Sequence, residues 1–300
     1  MDKKIVDMHV HSYCSDGSDS PAEIVKKAKE KGLAAISLTD HDTCQGLSEF
    51  MEAAEKLGIE AIPGIEISSE HKGCYIHILG YGIDFTQTAI LKKLLQPQWE
   101  VNYRKAILSI ERVGLDKLFG VKAENLISEI KKTTDNNEHL VFPVHIKNYI
   151  AQYPEIFQAL KSKRKKWKRQ DNGAELKFIS PVGAIKLINQ LNGIAVLAHP
   201  GNILNQGGQS SAKNQEILLT IINTLKKENL FGIEARHPGL TETQKLLFQR
   251  LAQAKNLAAT GGSDYHGKYR PNIFLGMEGG SYNDFLNLKQ IFFLRRIAFM

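Results

Sequence analysis

The chain has few cysteines and no long apolar run. Cys14, Cys44 and Cys74 are the three cysteines in 300 residues, an odd number that is too small for a disulfide framework. No stretch approaches the roughly 18 apolar residues of a membrane-spanning helix, and no charged and then apolar segment opens the chain. These absences argue against a disulfide-rich secreted scaffold and against a membrane protein. We therefore expect a cytoplasmic location.

The composition is that of an ordinary globular protein, with 42% hydrophobic and 24% charged residues. A chain of 300 residues is long enough for one large α/β domain, with or without a modest insertion. The net charge of +7 suits an anionic substrate, although a basic surface also serves solubility alone. The composition does not indicate a particular function, so the function must be inferred from short sequence motifs.

Three short clusters combine histidine with carboxylate: Asp7-Met8-His9-Val10-His11, Thr39-Asp40-His41-Asp42 and Gly262-Ser263-Asp264-Tyr265-His266. Each cluster follows or ends an apolar run that predicts a strand. Alternate residues of a strand point to the same face, so His9 and His11 are expected to lie side by side. Imidazole and carboxylate are the usual ligands of divalent first-row metals. We therefore interpret the clusters as a metal site rather than as scattered, hydrogen-bonded core histidines.

The chain alternates between two kinds of organisation. Residues 5–85 alternate apolar strand patterns with amphipathic helices, whereas residues 87–180 contain long polar helical stretches. The alternation then returns, and motif residues again follow strand patterns, which is typical of a β/α barrel. We expect residues 1–88 and 181–300 to form the barrel and residues 89–180 to form a helical insertion that acts as a lid.

The motifs occur in the order D-x-H-x-H, S-D-G, T-D-H-D, G-x-E-x-S, H-I-L-G-Y, A-H-P-G, G-I-E and G-S-D-x-H. This order is similar to that of the polymerase and histidinol phosphatase (PHP) family, and most similar to the subgroup with an inserted helical domain. That subgroup includes nucleotide 3′,5′-bisphosphate phosphatases and 5′→3′ exoribonucleases. The resemblance implies an α/β fold, a distorted (β/α)7 barrel, that holds two or three divalent ions. Mn²⁺ is expected, with Fe²⁺ or Zn²⁺ as alternatives.

The resemblance also implies which side chains hold the ions. The expected ligands are His9, His11, Glu66 and Asp264 for one ion, Glu66, His77 and His199 for a second, and Asp16, His41 and His266 for a third. Asp7 and Asp40 each neighbour a ligand histidine and are expected to accept the free ring N–H of that histidine. For Asp7 the alternative is a cap at the end of its strand.

A site with two or three divalent ions in basic surroundings is suited to the hydrolysis of phosphate esters. We predict that a metal-bridged hydroxide attacks phosphorus and that Asp264 or His266 moves the proton. The predicted substrates are nucleotides or short RNA 5′ ends. The alternatives are a phosphatase for another small phosphate monoester, and a nucleic-acid-binding protein of the same family with reduced turnover.

The predicted lid departs from the pattern of its subgroup. Members commonly contain R-x-H-x-x-R, whereas this chain keeps His145 but has Pro143 and Asn148 in place of the arginines. Members also tend to have arginine after A-H-P-G, where this chain has Asn202. The predicted metal ligands are complete, so these differences concern the substrate.

Other side chains are candidates for contact with the substrate phosphate: Arg104, His145, Lys147, Arg236 and His237. Lys147 would act as a point charge, without the paired N–H groups of a guanidinium. Each candidate has the alternative role of a surface or helix-face group. Residues 161–169 include seven basic side chains and Trp167, and this run predicts either a solvated linker or a track for a nucleic-acid backbone.

Overall fold

The computed structural model describes residues 4–134, 140–163, 177–204 and 211–298. The strands in these ranges are β1 (Ile5–Val10), β2 (Ala35–Leu38), β3 (Glu60–His71), β4 (Cys74–Tyr81), β5 (Ile194–Leu197), β6 (Gly232–Arg236), β7 (Ala258–Gly261) and β8 (Gly280–Ser281). The α-helices are α1 (Pro21–Glu30), α2 (Leu47–Leu57), α3 (Thr88–Val113), α4 (Leu115–Phe119), α5 (Ala123–Lys132), α6 (Pro143–Ala151), α7 (Pro154–Lys163), α8 (Pro181–Gln190), α9 (Gly201–Leu204), α10 (Ser211–Lys227), α11 (Glu242–Ala254) and α12 (Tyr282–Ala298). Strands and helices thus alternate on both sides of a stretch in which the described elements, α3 to α7, are all helices.

The strands form one sheet in the order β7-β6-β5-β4-β3-β2-β1-β8. Neighbours are parallel, except that β4 runs antiparallel to β3 and β5, and β8 runs antiparallel to β1. The sheet curls until the segment after β7 reaches β1. The N–H of Asp264, after β7, donates to the His9 carbonyl on β1 at 2.8 Å, and the His11 N–H donates to the Tyr265 carbonyl at 2.9 Å. The predicted distorted α/β barrel is confirmed, with the two-residue β8 added to the seven strands expected.

Strand β3 changes partner halfway along its length. It pairs with β2 through residues 60–63 and with β4 through residues 64–71. At the junction, a Cβ on Gly64 would lie 2.7 Å from Ser37 Oγ and 2.9 Å from the Leu38 carbonyl, so a larger residue would displace the neighbouring strand. Glu66 therefore lies just past the point where the two parts of the sheet join.

The first helix shows how local sequence sets the elements around the barrel. Ser20 caps α1: its hydroxyl accepts from the Glu23 N–H, while the Glu23 carboxylate accepts from the Ser20 N–H. Pro21 occupies the first helical position, where its missing N–H costs nothing. Beyond the helix, Gly32 adopts a φ of 71°, which turns the chain toward β2. The cap at Ser20 and the turn at Gly32 therefore set where α1 begins and where the chain leaves it for β2.

Helices cover the sheet with apolar side chains. The fully buried residues include one from each of α1, α2, α8, α10 and α11: Ile24, Phe50, Ile188, Ile222 and Phe248. Burial of one such side chain contributes about 1.5–3 kcal/mol. Within the described ranges, no helix combines the length and the apolar composition that crossing a lipid bilayer requires.

The helices from α3 to α7 pack around an apolar core of their own. Ile110 and Ile127 are completely buried in it. The stretch also touches the barrel, because the Trp99 indole N–H donates to the Asp42 carbonyl at 2.8 Å. The exact division of the chain at residues 88 and 180, and the lid role of these helices, stay predictions. Residues 164–169 of the basic run lie outside the described residues.

Candidate metal centre

All nine side chains that the sequence nominated as metal ligands come together in one cluster at the barrel. Their positions are His9 and His11 on β1, Asp16 in the loop after it, His41 after β2, Glu66 on β3, His77 on β4, His199 after β5, and Asp264 and His266 after β7. The segments that carry them are far apart in the chain. Closure of the barrel is therefore what assembles the cluster.

Glu66 stands at the centre of the cluster and is fully buried. Five imidazole nitrogens surround its carboxylate: His77 Nδ1 and His199 Nε2 lie 3.0 and 2.9 Å from Oε1, and His9 Nε2, His11 Nε2 and His41 Nδ1 lie 3.1, 3.2 and 3.2 Å from Oε2. A carboxylate offers about four lone-pair sites for hydrogen bonds. Five converging rings exceed that number, so hydrogen bonding alone does not account for the arrangement.

The candidate ligand atoms form four overlapping groups, and within each group all atoms lie within 4.8 Å of one another. The groups are His9, His11 and Asp264; His9, Glu66 and His199; His41, Glu66 and His77; and His11, Asp16, His41 and His266. Several residues belong to two groups, with Glu66 shared between both sides of the cluster. Shared ligands are what closely spaced metal ions require.

Three buried atoms of the cluster lie close to other cluster atoms but have no partner in the orientation of a hydrogen bond within the described part of the chain: Asp16 Oδ1, His41 Nδ1 and His266 Nε2. A buried polar atom without a partner costs roughly 1–3 kcal/mol. His266 has the orientation of a ligand, since its Nδ1 donates to the Asp264 carbonyl at 2.7 Å and Nε2 faces Asp16 Oδ1 at 3.1 Å. The residues present therefore fit bound divalent cations.

The charges of the cluster depend on one another. Burial alone would raise the pKa of Glu66, but the imidazoles of His41 and His9 hold it well below its ordinary range. Burial opposes protonation of His11, but hydrogen bonds to Asp264 and Glu66 raise the pKa of its ring to about 10. Burial lowers the pKa of His41 to about 3, although the neighbouring carboxylates of Glu66 and Asp16 act in the opposite direction. Because metals bind neutral imidazole, metal binding must release the protons that rings such as His11 hold.

Asp7 and Asp40 hold the loops beside the cluster. Asp7 accepts from the Ser263 N–H at 2.9 Å and from the Ser263 hydroxyl at 2.6 Å. Asp40 accepts from the Ser12 N–H at 2.7 Å and from the Ser15 hydroxyl at 2.5 Å. Within the described ranges, neither carboxylate bonds to a histidine ring. This differs from the prediction, because serine donors in the adjoining loops occupy both carboxylates.

The carboxylate that supports the histidines is Glu234 on β6, which is buried. It lies 3.0 Å from His9 Nδ1 through Oε1, and it accepts from the His199 N–H at 2.7 Å through Oε2. The first contact orients the His9 ring with Nε2 toward Glu66. Glu234 belongs to the G-I-E motif, but no role was predicted for it. The position of Glu234 at the end of a predicted strand, like that of the predicted ligands, was the feature of the sequence that could have indicated a role.

Two further side chains reach the outer side of Asp264. His237 Nε2 lies 3.2 Å from Asp264 Oδ2, while its Nδ1 accepts from the Gly239 N–H at 2.9 Å. The guanidinium of Arg270 also donates to Asp264 Oδ2. His237 thus lies against a nominated ligand, and its contact with substrate stays a prediction. Arg270 was not anticipated, because it belongs to no motif.

The remaining substrate candidates lie in different surroundings. His145 is buried on α6, and its ring donates to the Ser15 carbonyl beside the cluster. Arg104 on α3 and Lys147 on α6 are exposed, and Lys147 lines a groove of about 500 Å³ on the helical stretch. Arg236 is half-buried at the end of β6. Of these candidates, His145 is the one that the structure brings to the cluster.

The fold and the cluster define a metal-dependent phosphoesterase. The chain belongs to the PHP domain family, whose sequence profile matches residues 7–236. It is 29% identical over 273 residues to a phosphoribosyl 1,2-cyclic phosphate 1,2-diphosphodiesterase of Eggerthella lenta, covering 88% of this chain and 95% of the relative. It is 33% identical over 266 residues to a 5′-3′ exoribonuclease of Haemophilus influenzae, covering 88% and 90% of the two chains.

A solved structure shares the fold. A Bifidobacterium adolescentis protein assigned as a metal-dependent phosphoesterase superposes with a TM-score of 0.76, at 22% identity and over 94% of each chain. The match to the PHP family over residues 7–236 confirms the resemblance found in the motifs, and the chain is a phosphoric ester hydrolase.

Proposed function

We propose that the protein hydrolyses phosphate esters of nucleotides or of short RNA 5′ ends. The observation that carries this proposal is the shared carboxylate of Glu66 among five imidazole rings, an arrangement built for adjacent divalent ions. The Haemophilus influenzae relative, an exoribonuclease, supports RNA 5′ ends as substrates. The net charge of +7 favours an anionic substrate.

We assign the ligands by the groups that the structure brings together. His9, His11 and Asp264 would hold one ion. His77 and His199, which both lie against Glu66 Oε1, would hold a second together with Glu66. Asp16, His41 and His266 hold a third. We propose Mn²⁺, since the ligand set mixes imidazole with carboxylate. When bound, such ions supply a water of lowered pKa and positive charge beside the phosphoryl oxygens.

The geometry favours Asp264 over His266 as the residue that moves a proton. His266 donates through Nδ1 to the Asp264 carbonyl at 2.7 Å, so Nε2 is the ring nitrogen that faces the proposed ion. Asp264 faces the histidines with Oδ1 and His237 with Oδ2, at 3.2 Å from His237 Nε2. His237 Nε2 donates to Asp264 Oδ2, because its Nδ1 accepts from the Gly239 N–H, and Asp264 Oδ1 is then the oxygen placed to accept a proton within the cluster.

The first experiment is phosphate release with added Mn²⁺. The panel contains adenosine 3′,5′-bisphosphate, 5′-phosphorylated RNA oligomers, a cyclic ribose phosphate, histidinol phosphate and p-nitrophenyl phosphate. Turnover of the bisphosphate or the RNA is expected. Turnover of the histidinol or nitrophenyl compound alone would reassign the protein to small phosphate monoesters. No turnover in protein with bound metal, verified by elemental analysis, would contradict the proposal and favour a binding role.

A matched pair of variants tests the site. His9→Ala removes a ring at the centre of the cluster, and we expect loss of both turnover and bound metal. His71→Ala removes an exposed histidine at the end of β3 and serves as the control. Equal activity in the two variants would place the reaction elsewhere.

The proposed cytoplasmic location agrees with three free cysteines.

A further inference from the structure

Arg270 brings a positive charge to the outer edge of the metal cluster. It follows a 3-10 turn, Gly267–Tyr269, after β7, and its side chain is 46% exposed. Its guanidinium donates to Asp264 Oδ2. Among the lysines and arginines that the structure describes, it is the one that contacts a carboxylate of the nine-residue cluster.

Asp264 separates Arg270 from the inner part of the cluster. Its Oδ1 lies 3.3 Å from His11 Nε2 and 3.6 Å from His9 Nε2, where the ions are proposed to bind. Its Oδ2 faces Arg270 and His237 instead. Asp264 therefore holds the guanidinium with Oδ2, and with Oδ1 it would bind one of the proposed ions.

A guanidinium has five N–H donors in a planar fork, and Asp264 engages one of its terminal nitrogens. Within the described residues, no other side chain accepts a hydrogen bond from the remaining donors. Because the side chain is about half exposed, an anion that reaches the cluster can meet these donors. Phosphate oxygens match the fork geometry.

The other cations are less well placed. Arg104 and Lys147 are exposed on the helical stretch. Asn202, at the position where the subgroup tends to have arginine, carries no charge. Its amide lies 3.0 Å from His199 Nδ1 and orients that ring. The cation beside the ions accordingly comes from the loop after β7.

We propose that Arg270 binds the phosphate group that is hydrolysed, donating to its oxygens while Asp264 holds the guanidinium in place. This inference rests on the proposed function, because it names the residue that recognises the phosphate in the same site. It assigns the recognition of phosphate to the loop after β7. The sequence had nominated Arg104, His145 and Lys147 in the insertion and Arg236 and His237 at the end of β6.

The test measures binding of inorganic phosphate to the Mn²⁺-loaded protein by calorimetry, together with metal content and KM. Arg270→Gln removes the guanidinium, and Arg270→Lys keeps the charge without the fork. Lys268→Gln is the control, because it removes a positive charge from an exposed side chain of the same turn. We expect Arg270→Gln to weaken phosphate binding about 10- to 100-fold with unchanged metal content, and Arg270→Lys to fall between it and the wild type.

Three outcomes would overturn the inference. These are wild-type protein that binds no phosphate, an Arg270→Gln variant that binds phosphate as Lys268→Gln does, and an Arg270→Gln variant that loses metal in proportion to its phosphate binding. The last result would show that Arg270 only positions Asp264. The proposed function fails separately: if the substrate panel gives no turnover while Arg270→Gln still weakens phosphate binding, the recognition site stands without the activity.

Discussion

The barrel and the helical stretch are packed by different principles. In the barrel, ionisable side chains such as His9, His11 and Glu66 are completely buried beside one another. In the helical stretch, the core is made of aliphatic and aromatic side chains. Its buried polar residues, within the described ranges, are Gln98, Asn102 and His145. Two of these contact the barrel, since Gln98 donates to the Ser68 carbonyl and His145 to the Ser15 carbonyl.

This difference separates stability from function within one chain. Buried charges are costly unless a counterion compensates them, so the conformation of the barrel mouth is coupled to metal binding. The helical core consists of aliphatic and aromatic side chains and is stabilised by apolar burial. Changes at the barrel mouth should therefore act through metal, and changes in the helical stretch should act through packing.

The largest effect is expected from Glu66→Gln. An amide cannot balance adjacent cations as a carboxylate does, so turnover should fall by roughly 10³-fold or more and metal content should drop. Glu70→Gln is the control on the same strand, where the carboxylate pairs with Lys105 at 2.9 Å instead. Elemental analysis and phosphate release measure both quantities. A Glu66→Gln protein with full activity would remove the shared carboxylate from the mechanism.

Amide hydrogen exchange, measured with and without Mn²⁺, tests whether the barrel and the helical stretch open separately. At a free metal concentration of 100 times Kd, binding stabilises by about 2.7 kcal/mol, which slows exchange about 100-fold where opening disrupts the site. We expect this protection in β1 and β3, and little change in α5. Equal protection of α5 would mean that the barrel and the helical stretch open as one unit, against the proposed division.

Glu234→Gln should have a smaller effect than loss of Glu66. The amide keeps the shape of the side chain but no longer fixes the His9 ring by charge, so metal affinity should fall about 10- to 100-fold. Glu216→Gln, on an exposed position of α10, controls for loss of one negative charge. Metal titration followed by activity provides the measurement. Unchanged affinity would leave Glu234 as a structural partner of the His199 backbone.

The smallest effect concerns the basic run. If residues 161–169 track a nucleic-acid backbone, replacing Lys165, Lys166 and Lys168 with glutamine should flatten the salt dependence of oligonucleotide binding. The slope of log K against log salt should change by roughly 0.7 for each phosphate that the protein no longer neutralises. A variant that replaces Lys26, Lys56 and Lys227, exposed on α1, α2 and α10, serves as the control. Equal slopes in both variants would favour the solvated linker.

Site residues could be predicted from the sequence where a ligand and its strand lie close together in the chain. The H-x-H of β1 and the motifs after β2 and β7 required no knowledge of tertiary contacts. Glu234 was missed because its role depends on His9, which only barrel closure brings to it. Arg270 was missed for the same reason, since a lone arginine after a turn carries no periodic pattern. The partners of Asp7 also lie far along the chain, at Ser263 and Gly276.

The pairing of β4 with β5 has a consequence for folding order. Ile78 pairs with Leu197, so the two strands join only after the whole helical stretch between them has been synthesised. The helical core is built from contacts within that stretch, whereas the barrel must close large loops before its ends meet at His9 and Asp264. During synthesis, the helical core can therefore form before the metal site is complete. Until then, the histidines of the early strands are exposed to whatever metal the cell supplies.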